Sequence, residues 1–144
     1  MPPMSATALL RFVLVPCLLA ALAACGLFGN VPEYRANDYV KALVRTPDDR
    51  AVLAALAAPD RDPQTIVAGL HTQVAIDYLR TQHRQGRRHD FLISATRPEG
   101  SGRRLVAITV TPLGGPPGEE PVRIRVRVEE YAGAGWRVTE VQAE

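Results

Sequence analysis

The chain has only two cysteines, Cys17 and Cys25, and both lie in an apolar leader. Everything after Cys25 is cysteine-free, which excludes a disulfide framework and a cysteine metal site from the globular part. Lysine is nearly missing as well: Lys41 is the only one among 17 basic residues. Arginine suits bidentate anion contacts, but a bias spread over the whole chain reads as genome composition rather than as a site. Net charge is small, formally +2, and Arg11 of the leader supplies part of it. A nucleic-acid partner calls for a strongly basic domain or face, so none is expected. There is no internal repeat. A membrane-spanning run of roughly 20 apolar residues is also missing. The stretch Phe12–Ala24 is shorter, and Pro16 interrupts it.

Catalytic signatures are equally sparse. No HExxH and no histidine pair at i, i+4 is present, so His71, His83 and His89 read as surface or helix-end residues, and no metal or cofactor is expected. Beyond the leader the serines are Ser94 and Ser101, neither in a G-x-S-x-G elbow. The Gly-rich run "PLGGPPG" lacks the Lys and the following helix of a phosphate loop. Asp77 and Tyr78 are adjacent, so they point about 100° apart and only one can face inward. Tyr78 fits the apolar side, which leaves Asp77 outside. No catalytic residue is assigned, and the chain does not read as an enzyme.

What the leader does contain is specific. One positive charge, an apolar stretch and small residues at its end read as a secretory signal peptide over residues 1–24. Leu22-Ala23-Ala24-Cys25 resembles the lipobox of bacterial lipoproteins. The resemblance implies a diacylglyceryl group on the Cys25 thiol, cleavage before Cys25, and recognition of Leu22, Ala23 and Ala24 by the peptidase. Several acyl chains hold a protein stably at a bilayer, at about 0.8 kcal/mol per buried methylene. Gly26, rather than Asp, follows the cysteine. In Gram-negative lipoproteins Asp there signals inner-membrane retention, so for a Gram-negative host the resemblance favours the outer membrane, facing the periplasm.

Residues 25–36 read as a lipidated tether, and 37–144 as a single globular domain. Asn37 is placed to cap a helix through Arg45. Thr46-Pro47-Asp48-Asp49 reads as a cap followed by Pro at the first helical position, opening a helix that buries Val52, Leu53 and Leu56. Asp62-Pro63 repeats the signal and opens the longest expected helix, to about Arg84, with Ile66, Val67, Leu70, Val74 and Tyr78 as its buried stripe and Leu79 at the stripe's edge.

The period then changes to two. "HDFLISATR" places Phe91, Ile93 and Ala95 on one face, and "RRLVAITVT" groups Val106, Ile108 and Val110. "PVRIRVRVEEY" turns Val122, Ile124, Val126 and Val128 inward and Arg123, Arg125, Arg127 and Glu129 outward. In "GWRVTEVQ", Trp136 and Val138 share a face and Val141 falls out of step, which predicts a bulge or an early end. The loop Pro112–Pro121 is rich in Pro and Gly. Helices followed by four consecutive strands predict an α+β fold, with N-terminal helices packed on a curved four-stranded antiparallel sheet.

This order, with the terminal "GWRVTEV", resembles the nuclear-transport-factor-2-like (cystatin-like cone) domains. The resemblance implies that the helix Pro63–Arg84 packs into the concave sheet. It also offers two rival roles, a carrier of a small apolar ligand in the cone and a degenerate enzyme. Ala95 and Ala107 are the only small inward residues that would open such a pocket. The remaining candidates for contact with an anion or an envelope protein are Arg87 and Arg88 in "HRQGRRH" and the row Arg123, Arg125, Arg127. The expected role is a non-catalytic binding or accessory one at the cell envelope, with the membrane reached through the lipid on Cys25.

Overall fold

The structure, a computed structural model, describes residues 31–144. The expected signal peptide, the lipobox-like residues Leu22, Ala23 and Ala24, and Cys25 lie outside the described residues. The helices are α1 (Pro32–Arg45), α2 (Arg50–Leu56), α3 (Pro63–Ile66) and α4 (Gly69–Arg84). The strands are β1 (His89–Pro98), β2 (Arg103–Pro112), β3 (Val122–Tyr131) and β4 (Gly135–Ala143). They form one antiparallel sheet in the order β1-β2-β3-β4, so the fold is α+β with the helices preceding the strands. No helix among the described residues is long and apolar enough to cross a membrane.

The alternation of β2 and β3 produces the core. Val106, Ile108 and Val110 face inward with Ile124, Val126 and Val128, all fully buried. Burying each such side chain is worth roughly 1.5–3 kcal/mol. In β4 the expected irregularity takes the form of a bulge. Arg127 pairs with Glu140 and Val128 with Val138, so Thr139 is the extra residue and Val138 and Val141 both point inward. The Thr139 hydroxyl donates to the Arg127 carbonyl at 3.3 Å.

A second bulge corrects the reading of β1. Ile93 pairs with Ile108 but Ala95 with Ala107, leaving Ser94 over, its hydroxyl donating to the Ala107 carbonyl at 3.1 Å. One extra residue swaps the faces of everything beyond it. Ala95 therefore joins Ala107 on the outer face, and neither opens an inward pocket.

The helix on the inner face is α1, and this too differs from expectation. It packs against all four strands, through Ala36, Tyr39, Val40, Leu43 and Val44. It begins at Pro32, so Asn37 is a buried residue within it and not its cap. Thr46 finishes α1 rather than opening α2, because its amide and hydroxyl both turn back to the Ala42 carbonyl. Asp49 caps α2, accepting from the Val52 amide at 3.1 Å, and Val52 itself is exposed.

The expected long helix is two. Asp62 caps α3 as read, but after Ile66 the chain extends. Val67 makes a parallel bridge to Val141, and the Ala68 amide donates to the Val141 carbonyl at 2.9 Å. Gly69, at φ +79°, restarts the helix, a backbone conformation that glycine adopts without a Cβ penalty. The break rotates the buried face. Thr72, Ile76, Leu79 and Gln82 are buried in α4, while Leu70, Val74 and Tyr78 are 76%, 59% and 46% exposed. Of the expected stripe, Ile66, half-buried Val67 and Leu79 reach the core. Of the inward sheet residues named from sequence, Val122 and Trp136 are half-buried at its margin.

Candidate binding surface

Helix α4 crosses one end of the sheet. Near its start, the Thr72 hydroxyl oxygen accepts from the Ala143 amide of β4 at 2.9 Å. Near its finish, Gln82 Oε1 lies 2.9 Å from His89 Nε2 of β1, which donates to it. In between, Arg80 Nε donates to the Leu43 carbonyl of α1 at 2.6 Å. These ties commit one face of the helix. They leave Leu70, Val74 and Tyr78, spaced one turn apart, as a row of apolar surface on the other.

Beside this row runs a groove of about 770 Å³, lined by His71, Val74, Ala75 and Tyr78 of α4 and, across from it, by Pro121, Val122 and the charged residues Glu120, Arg123 and Glu144. Its far wall is the end of the 112–121 loop, and Glu119 pins that loop to α4. The Glu119 carboxylate accepts from the Tyr78 hydroxyl at 2.9 Å, from Gln82 Nε2 at 2.8 Å, and from both terminal nitrogens of Arg87. These donors, Arg87 first, hold its carboxyl down at about 2. The same bonds raise the Tyr78 hydroxyl above its ordinary value, with Glu119 as the first cause. A Cβ on Gly115 would fall onto the Arg87 guanidinium and the Glu119 carboxylate, so a side chain there would have to displace the pair. Behind the hub, burial pushes the His89 imidazole below 6.5, and His83, Arg87 and Arg45 add to the effect.

Where the chain enters matters to the surface. The Arg45 guanidinium sits 4.9 Å from the centre of the Phe91 ring, which places the end of α1 at the start of β1. Arg35 lies close enough to Arg137, at the start of β4, to lower its pKa after burial has done so. Helix α1 thus begins at the Gly135 end of the sheet, and α4 lies across the opposite end.

The arginines named from sequence are not gathered into one site. Arg87 is committed to Glu119. Arg127 bridges two acids, Nε to Glu99 Oε2 at 2.8 Å and Nη1 to Glu140 Oε2 at 2.7 Å. Arg125 Nε lies 3.0 Å from Glu144 Oε1, an ion-pair distance without hydrogen-bond alignment. The acids beside Arg125 and Arg127 are therefore Glu99, Glu140 and Glu144. Among the described residues Arg88 and Arg123 make no ion pair, and of these Arg123 lines the groove. Tyr78, expected inward, is outward with Asp77, which pairs with Arg80 at 3.0 Å. No group of three or more His, Cys, Asp or Glu among the described residues is placed to hold a metal.

Glu119 had no signal in the sequence, being one acid in an irregular loop. No protein-family model matches the chain, and the search of curated proteins finds no significant match. The surface therefore stands on its own geometry.

Proposed function

We propose that the protein is a lipid-anchored docking module of the cell envelope. In this reading Cys25 carries the lipid, and the α4 groove receives an amphipathic helix of an envelope protein. One observation carries it: Leu70, Val74 and Tyr78 form an exposed apolar row, at the end of the sheet opposite the start of α1. Residues 26–31 reach at most roughly 20 Å when extended. A chain tethered that closely and entering at the far end favours a protein over the bilayer as the occupant of the row.

The chemistry of the partner follows from the row and its flank. Ridges at i, i+4, i+8 interdigitate with the same ridges on a second helix. Arg123 and Glu120 both line the groove without an ion pair among the described residues, so the flank offers that helix one contact of each sign. The concave sheet offers no rival place, because α1 fills the inner face and Ala95 turns away from it.

Two experiments test the two halves. Cys25→Ala is expected to abolish incorporation of labelled palmitate in the host, and unchanged labelling overturns the anchor. For the groove, a photoreactive side chain at position 74 is compared with one at position 97, on the outer sheet face. Position 74 is expected to give one discrete adduct with another protein, which Leu70→Glu removes, while position 97 gives none. Equal adducts from both, or none from 74, overturn the docking reading.

A further inference from the structure

A second hollow lies among the helices and has about 630 Å³, within the range of small-molecule sites. Its floor is apolar and buried: Leu43 of α1, Leu53 of α2 and Ile76 of α4. Set in that floor is Tyr39, wholly buried, whose hydroxyl has no hydrogen-bond partner. A buried hydroxyl without a partner carries its full desolvation cost, and phenylalanine would fill the same volume without it. An acceptor supplied from the cleft accounts for its presence.

Arg80 stands beside that hydroxyl. Its Nε is bound to the Leu43 carbonyl at 2.6 Å and its Nη1 to Asp77 at 3.0 Å, which leaves Nη2 for another acceptor. Burial pushes the Tyr39 hydroxyl up to about 12, against an opposing pull from Arg80, so it keeps its proton at neutral pH. The deep end of the cleft therefore holds two donors, Arg80 at its surface and the Tyr39 hydroxyl just beneath it. The rim has the opposite character: Asp48 and Asp62 stand exposed there, with Arg50 as the one exposed cation.

We propose that this cleft binds a small amphipathic zwitterion, with its oxygen end on Tyr39 and Arg80, its apolar middle on Leu53 and Ile76, and its ammonium at the Asp48 and Asp62 rim. The site is separate from the α4 groove, and neither stands or falls with the other.

The test uses the full-length protein and three probes: 6-aminohexanoate, hexanoate without the ammonium, and hexylamine without the carboxylate. Thermal shift is expected to saturate with 6-aminohexanoate, with the other two at least fivefold weaker. Tyr39→Phe is expected to weaken 6-aminohexanoate about fivefold. The free variant should melt no lower than the parent, since it loses only an unpartnered hydroxyl. Ala54→Trp, an exposed α2 position lining the cleft, fills the space and should abolish binding with the melting temperature retained. The proposal is overturned by no saturable shift, by an unchanged affinity in Tyr39→Phe, by hexylamine binding as tightly as the zwitterion, or by a lower melting temperature for Tyr39→Phe.

Discussion

Arg87 clasps Glu119 through both arms of its guanidinium, Nη1 to Oε1 at 2.8 Å and Nη2 to Oε2 at 2.6 Å. The pair joins the start of the strand region to the far end of the 112–121 loop. It also uses up the arginine that the sequence offers most readily as an anion contact. A bidentate pair with a low exposed area is the geometry in which an ion pair has structural value.

The first prediction concerns acid. The native Glu119 carboxyl is depressed to about 2 from its ordinary 4.5, chiefly by Arg87. A depressed native value means the unfolded chain binds the proton more readily. The stabilisation is then present above about pH 4.5 and lost as pH falls toward 2. Glu119→Gln should melt lower than the parent at pH 7, with the gap closing toward pH 2. Paired thermal melts across that range measure it, and a constant gap would contradict the clasp.

His89 acts in a different window. Its imidazole is buried and its value lies below 6.5, so protonation is resisted by the native state. Stability from this group is full above pH 6.5 and declines as pH falls below it toward the native value. An NMR titration should place the His89 ring below 6.5. In His89→Gln, the part of the pH dependence just below 6.5 should vanish while the part below 4.5 remains.

Helix α4 supplies a test of its rotation. Ile76→Ala removes a fully buried side chain and should cost about 2–5 kcal/mol. Val74→Ala, two residues away and 59% exposed, should stay within about 0.5 kcal/mol. Denaturant melts of the two variants decide it, and the reverse order would restore the face expected from the sequence.

The arginine row of β3 should be unequal. Arg127 holds Glu99 and Glu140 together, so Arg127→Ala is expected to cost about 1 kcal/mol. Arg123→Ala should cost less than about 0.5 kcal/mol, and it should weaken the adduct from position 74. If stability falls equally for both, the row is a uniform solvated face.

Much of the sheet was legible, because Ile124, Val126 and Val128 alternate with arginines at the period of a strand. Val141 even announced a bulge by falling out of step. The Ser94 bulge was silent, since "ISAT" alternates acceptably in either register, and so Ala95 was turned the wrong way. In α4 the misreading has a physical cause. The true buried face contains the polar Thr72 and Gln82, which cap β4 and the Glu119 hub, and so it looks less apolar than Leu70, Val74 and Tyr78. Ile66 and Val67 belong to the preceding segment, and their spacing extended a false stripe across the Gly69 break. The unpartnered hydroxyl of Tyr39 had no signal in the sequence, because it depends on where Arg80 and Leu43 meet.

The parallel bridges Ala57–Val138 and Val67–Val141 have a consequence for the order of assembly. They seat an early stretch of chain along the strand that is synthesised last of the four. Until β4 emerges, residues 57–68 have no edge to lie on and half of the core has no wall. Contacts this distant in sequence delay productive closure. A chain ending before Gly135 should therefore give no cooperative melt.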